Sequence, residues 1–175
     1  MDSRIKTLIA ELGLTPHPSE GGYFRETWRA AQILSDPNLL RDYGGPRCAG
    51  TAIYYLLTPQ TLSAMHRVRS DEIFHFYLGD AVEQLRLTPG GKGEIVHLGS
   101  DIAAGERPQS LVPQNTWQGA RLKPGGSFAL MGCTVSPGFE FADYEHGNRA
   151  SLTTEWPAFA EMIEILTPAD PVARG

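Results

Sequence analysis

Cysteine is scarce in this chain. Cys48 and Cys133 are the only two in 175 residues, and they fall in no metal-knuckle spacing. They cannot build a disulfide framework, and no secretory leader is evident, so the expectation is two reduced thiols in a cytoplasmic protein. Long apolar runs are missing too; none approaches the ~20 residues of a membrane-spanning helix. Positive charge is thin. Lys and Arg number 15 against 20 Asp and Glu, for a net charge of −5. Arg25 with Arg29, and Arg67 with Arg69, are local pairs rather than a basic stripe. Nucleic acid is therefore not an expected partner. Internal repeats and low-complexity linkers are also absent, and residues 1–175 read as one domain.

What is present favours short strands. Nineteen glycines and 13 prolines are spread along the chain, as in proteins made of many strands and tight turns. Ile5, Leu8, Ile9 and Leu12 recur at helical spacing before Gly13, which predicts a helix over about 3–13 with Asp2 or Ser3 as its cap. A strand over 20–29 carries charge on both faces. Tyr23, Arg25, Thr27 and Arg29 share one side, and Phe24, Glu26 and Trp28 the other, a pattern suited to a wet cavity or an intersubunit seam. Residues 34–50 read as a loop. Strands are expected at 51–57, 62–68, 72–78, 82–88, 95–98, 109–112, 116–122 and 127–134, with a short strand or extended arm over 139–144. Phe159, Met162, Ile163 and Leu166 predict a C-terminal helix over about 155–166, with Pro157 in its first turn. Strands at regular spacing between terminal helices suggest an all-β sandwich or barrel.

Chemistry concentrates at His66 and Glu72, six residues apart on two strands joined by a polar turn. Imidazole and carboxylate aimed at a common interior point can move a proton, bind a metal or grip a polar ligand. The bland alternative is a surface ion pair. Cys133 reads as a small buried apolar residue, and His17, His97 and His146 sit in loop-like surroundings that suggest no role.

His66, Val68, Glu72 and Gly79 fall at the intervals of the first cupin motif, with Val68 where a second histidine is usual and Gln60 where a leading glycine is usual. Pro113, Asn115 and Gln118 follow the second motif, with Gln118 in place of its histidine. His17-Pro18, Glu20 to Glu26, Ser70 to Tyr77, Val112-Pro113, Thr116 to Ala120, Gly132 to Val135 and Pro137 to Phe139 extend the likeness. On these residues the chain resembles the cupin-5 family, domain of unknown function 985, over roughly 5–166. The resemblance implies a cupin jelly-roll β-barrel with a core at about 20–145, short N- and C-terminal helices, a homodimer, and a pocket for a small polar ligand, carbohydrate-like or anionic.

The resemblance leaves three readings of that pocket. The first is a metal-free isomerase or epimerase in which His66 moves a proton and Glu72 orients it. Gln118, Trp117, Arg25, Tyr23, His75 and Tyr77 would then contact the substrate, with Tyr23, Tyr54 or Tyr77 able to supply a phenol acid. The second is an oxygenase-like enzyme holding a divalent transition metal on His66, Glu72 and Gln118, with His75 as a further candidate. Metallo-cupins normally present three histidines and a glutamate, which this set lacks. The third is a binding protein without turnover.

Overall fold

The computed structural model describes residues 2–169; residue 1 and residues 170–175, the ends of the expected 1–175 domain, lie outside it. Helix α1 (Ser3–Leu12) starts where the Asp2 side chain accepts a hydrogen bond from Arg4 N at 2.7 Å, and ends at Gly13 in the left-handed conformation. Its face carrying Ile5, Leu8, Ile9 and Leu12 packs with Leu14, Tyr23, Leu56, Phe128 and Leu130 on the outside of a sheet.

The rest is a jelly roll of two antiparallel sheets. β1 (Thr15–Pro16), β2 (Tyr23–Arg29), β5 (Thr51–Leu57), β12 (Ala129–Ser136), β7 (Asp71–Gly79) and β10 (Gln109–Val112) form one, in the order β1-β2-β5-β12-β7-β10. β6 (Ser63–Arg67), β8 (Val82–Thr88), β9 (Lys92–Leu98), β11 (Trp117–Leu122) and β13 (Glu145–His146) form the other, in the order β13-β6-β11-β8-β9. The two sheets keep separate hydrogen-bonded ladders among the described residues. Within the expected loop at 34–50, β3 (Ile33–Leu34) and β4 (Arg47–Cys48) make a short ladder. No helix among the described residues is long and apolar enough to cross a membrane.

Alternation along each strand divides the side chains into an interior and an outer set. Tyr55, Leu57, Phe74, Val82, Leu98, Val112, Ala120, Leu122, Ala129, Met131 and Cys133 form the apolar part of the interior. Met65, Leu85 and Leu87 point outward beneath the C-terminal helices, where Leu152, Trp156, Met162, Ile163 and Leu166 cover them.

Three local expectations need correction. The C-terminal helix is broken: α2 (Arg149–Glu155) is capped by Asn148, whose side chain accepts from Ser151 N, and α3 (Ala160–Leu166) follows a 3-10 turn at Pro157–Phe159. Trp156 leaves the helical region (φ −123°, ψ 64°), and its indole N–H donates to Thr88 O at 2.8 Å. Residues 139–144 are not a strand; they contain a 3-10 turn, Phe141–Asp143. Finally, a bulge in β2 between Glu26 and Trp28 shifts the register. Arg29 thereby joins Glu26 on the interior side instead of lying with Tyr23 and Arg25.

Candidate functional site

One end of the interior is polar and hollow. A cavity of about 90 Å³ is bounded by His17, Glu20, His66, Val68, Glu72 and Cys133 at its base, and by Phe24, Glu26, Arg29, Phe139, Phe141 and Tyr144 toward its mouth. A water needs about 10–15 Å³ of such space, and typical ligand pockets offer about 300–1,000 Å³. The enclosed part therefore suits a head group rather than a whole large ligand.

His66 is set by its strand. Its inward position on β6 lies across from Gln118 on β11, and Nδ1 is 2.8 Å from the carbonyl of Ala64. A carbonyl only accepts, so Nδ1 carries the hydrogen. Nε2 then faces Glu20 Oε2 at 3.1 Å. Between a lone pair and a carboxyl oxygen at that distance, one proton is required. Either Glu20 is protonated and donates to a neutral ring, or the ring is an imidazolium beside a carboxylate. Burial raises the Glu20 carboxyl and lowers the His66 imidazole, so both shifts favour the neutral pair with the proton on Glu20. The Tyr144 ring stacks on His66 at 5.2 Å, 19° from parallel.

Glu20 arrives from a loop. Gly21 and Gly22 both have positive φ, 92° and 72°, and a Cβ at Gly22 would press on Leu56 O at 3.0 Å, so this turn needs glycine. The turn is held by His17 N donating to Gly22 O (3.0 Å) and Ala64 N donating to Glu20 O (2.8 Å). His17 Nδ1 accepts from Glu20 N at 3.1 Å, which puts its hydrogen on Nε2, 3.6 Å from Glu20 Oε1. Ser63 Oγ donates to Oε2 at 3.3 Å. Glu20 thus lies between two imidazoles.

Glu72 is held differently. Gln118 Nε2 donates to its Oε2 at 2.5 Å. Behind it, Gln84 Nε2 donates to Gln118 Oε1 (3.2 Å), Ser110 Oγ to Gln84 Oε1 (2.7 Å), and Arg86 Nη1 to Ser110 Oγ (3.3 Å). Every bond runs from the guanidinium toward Glu72, so the chain supports negative charge there. The Cys133 thiol is a further donor, and burial keeps that thiol protonated. Burial raises the Glu72 carboxyl while its hydrogen bonds and His66 pull it back down.

His66, Glu72 and Gln118 are therefore brought together. The other candidates are not. Tyr23 is buried under α1. Arg25 donates from Nη1 to Leu12 O at the end of α1 (2.9 Å), too far round the sheet to hold an anion in the cavity. His75 and Tyr77 take the outer positions of β7, His75 Nε2 lying 3.1 Å from Thr134 Oγ1 and Tyr77 packing edge-on to Tyr54. Trp117 faces out against the C-terminal helices, with Arg67 over its ring at 4.5 Å. Glu72 does not orient His66 through a hydrogen bond; Glu20 and Ala64 do. His17, Glu20 and Tyr144 are members that sequence reasoning missed. The Glu-Gly-Gly step after His17-Pro18, a turn directly preceding an unusual strand, was the available signal for His17 and Glu20.

The donor set does not fit the metal of the wider cupin fold. Val68 supplies no lone pair, and the one ligating atom of Gln118, Oε1, already faces Gln84. Among the described residues, no three His, Cys, Asp or Glu side chains stand as a set able to hold a metal ion.

The sequence matches the family described as Cupin_5, cupin superfamily (DUF985), over residues 6–147. It is 29% identical over 150 residues to the uncharacterized protein YML079W of Saccharomyces cerevisiae, covering 81% of this chain and 74% of that one. The fold overlays protein SO0799 from Shewanella oneidensis with a TM-score of 0.81 at 33% identity, over 94% of this chain and 98% of that chain. A hypothetical protein from Leishmania major gives 0.82 at 30% identity, over 93% and 97%.

Proposed function

The chain belongs to the Cupin_5 family of the cupin superfamily (DUF985), and we propose that its interior is a small-molecule site working by proton transfer between a ligand and two carboxyl groups. The observation that carries this reading is the 3.1 Å contact between Glu20 Oε2 and His66 Nε2, which needs one proton between the two atoms. Burial and the facing His66 Nε2 favour the protonated form of Glu20. Glu72, fed by Gln118 and Cys133, is the better carboxylate of the two. Two carboxyl groups lining one small cavity, one facing an imidazole nitrogen and the other held by hydrogen-bond donors, can supply an acid and a base without a co-reactant.

The reaction class that suits them is isomerisation or epimerisation beside a carbonyl. Glu72 takes the proton from carbon, and the electron pair moves toward the carbonyl oxygen. Glu20 then returns a proton to carbon, and exchange through His66 and water resets both groups. The ligand is small and bears no negative charge. Among the described residues, Arg29 is the only Arg or Lys on the lining, and it is occupied by Glu26 (2.8 Å) and Glu140 (2.7 Å). Among the described residues an anion would find four carboxyl groups and no free cation there, so the anionic alternative is set aside with Arg25.

The test is solvent deuterium wash-in at carbon, followed by NMR across a panel of small hydroxy- and amino-carbonyl compounds. General acid–base catalysis contributes about 10²–10⁴-fold. Glu20→Gln and Glu72→Gln should each lower wash-in by about that factor, with the fold verified by a dispersed amide spectrum. Wash-in that survives both substitutions would refute the assignment. So would a His66 ring whose 15N shifts put its hydrogen on Nε2 rather than Nδ1.

A further inference from the structure

Resting on that reading of the interior as a ligand site, we propose that the cavity selects an organic ammonium group, so that the ligand is a small amine-bearing molecule rather than a neutral polyol. The charge inventory comes first. Among the described residues, Glu20, Glu26, Glu72 and Glu140 line the cavity, against Arg29 alone. Arg29 reaches Glu26 through Nε (3.0 Å) and Nη2 (2.8 Å), and Glu140 through Nη1 (2.7 Å). Its charge is thereby consumed at the mouth. Even that cluster of three is net negative, and among the described residues the base holds no Arg or Lys, only the imidazoles of His17 and His66, which burial favours as neutral.

The second observation is the buried pair below. Glu20 and Glu72 are only 9% and 8% exposed, and neither has a guanidinium or ammonium partner among the described residues. Glu20 meets His17, Tyr55, Ser63 and His66, and Glu72 meets Gln118 and Cys133. Buried carboxyls without a counter-charge are costly as anions. A cation entering between them supplies a counter-charge to the Glu72 carboxylate and lowers the cost of ionising Glu20.

The third is the apolar part of the wall. Phe24, Phe139, Phe141 and Tyr144 surround the route from mouth to base. Aromatic rings attract ammonium groups through their quadrupole, more strongly when the contact is desolvated. Carboxyl base and aromatic sleeve therefore favour the same ligand charge. A polyol would satisfy hydrogen bonds at the base but leave the missing counter-charge unsupplied.

The experiment uses three probes of one length and three charges: propylammonium, 1-propanol and propionate. Each is titrated to tens of millimolar into 15N-labelled protein at pH 7.5 and constant ionic strength. Propylammonium should shift the amides of cavity residues Thr51, Ile53, Val68 and Val135, with at least tenfold tighter binding than 1-propanol and no saturable response to propionate. The doubly substituted Glu20→Gln/Glu72→Gln protein, if still folded by its spectrum, should lose that preference. If the double variant does not fold, the single variants should each reduce it. Equal binding of 1-propanol, preference for propionate, or ammonium shifts confined to exposed carboxylates would each overturn the ammonium proposal. So would no binding by any probe. The proton-transfer reading would still stand or fall on its own measurement, the His66 ring titration and deuterium wash-in, so the two failures are distinguishable.

Discussion

Replacing Asp143 by asparagine should be among the most damaging single substitutions in the chain, although the two side chains are nearly the same shape. Asp143 is 5% exposed and Arg47 is 7% exposed. Arg47 donates from Nε to Oδ2 at 2.7 Å and from Nη2 to Oδ1 at 2.8 Å. Its remaining N–H groups reach the carbonyls of Tyr43 (2.6 Å), Gly45 (3.2 Å) and Pro46 (2.9 Å). All five guanidinium donors are thus placed, and Asp143 holds the Arg47 proton more firmly than usual. The amide keeps the shape, removes the counter-charge and turns an N–H₂ toward donors. Breaking a buried pair from one side costs about 3–5 kcal/mol. For a chain of this size each kcal/mol lowers Tm by about 2–4 °C, so the loss is about 6–20 °C. Calorimetry with parallel urea unfolding measures it. Arg47→Met should cost about as much, and the double variant Arg47→Met/Asp143→Leu less than the sum of the two. The consequence reaches the site, because this pair ties the 34–50 segment to the turn that carries Phe141 and Tyr144 over the cavity. A loss below about 1 kcal/mol for Asp143→Asn, or strict additivity in the cycle, would show that the pair does not anchor that turn.

Gln118→Leu leaves Gln84 Nε2 and Glu72 Oε2 without partners; at about 1–3 kcal/mol per orphaned buried group the expected loss is about 2–6 kcal/mol, larger at pH 8 than at pH 5 because Glu72 loses a bond that favours its charged form. A pH-independent loss in urea unfolding would contradict the donor chain. Stability should also fall away on both sides of the weakly acidic range. Glu20 and Glu72 are raised in the fold, so their contribution is complete below the unfolded carboxyl value near 4.5 and is lost as pH rises through the folded values. His17, His66 and His146 are lowered by burial, so theirs is present above about 6.5 and is lost as pH falls through the folded values. Glu20→Gln should therefore gain Tm relative to the parent as pH rises from 5 to 9; a gain that shrinks over that range would reverse the sign argued here. Lastly, Val68→His/Gln118→His restores imidazole at two positions facing His66 and Glu72, and should bind one equivalent of Zn²⁺ or Co²⁺ after dialysis. If the parent retains as much metal as the variant, the donor-set argument fails.

Much of the fold was legible. Turn residues and β-branched runs mark Thr51–Leu57, Val82–Thr88 and Gln109–Val112 at the bounds observed, because alternation and punctuation are local properties. Period two does not say which face of a strand is inside, and on β2 both faces carry charge. α1 decides the matter by covering Tyr23 and accepting a hydrogen bond from Arg25 at Leu12, a tertiary event that strand spacing does not encode. The bulge after Glu26 moves Arg29 across the sheet, and no glycine or proline marks it. Glu20 was the hardest to see, since it reaches His66 from a turn rather than a strand. His66, Glu72 and Gln118 were readable together because their intervals follow a motif whose geometry is fixed by paired strands.

The two departures from that motif have linked physical effects. In a metal-binding arrangement, imidazole nitrogens and a carboxylate converge on a divalent cation, which supplies the positive charge the carboxylate needs. Here Val68 withdraws one donor, and Gln118 becomes a hydrogen-bond donor to Glu72 instead of a ligand. His66 Nε2 keeps its lone pair and needs another partner, which Glu20 provides at 3.1 Å. One proton stabilises that contact, and the Arg86-to-Gln118 chain stabilises the charge on Glu72. Burial raises both carboxyls, and at Glu72 the hydrogen bonds from Gln118 and Cys133 offset that shift in part. On this view Glu20 and Gln118 form one functional unit with His66 and Glu72. Returning Gln118 to histidine alone should weaken the hold on Glu72 without creating a metal site, since Val68 would still leave the donor set one imidazole short.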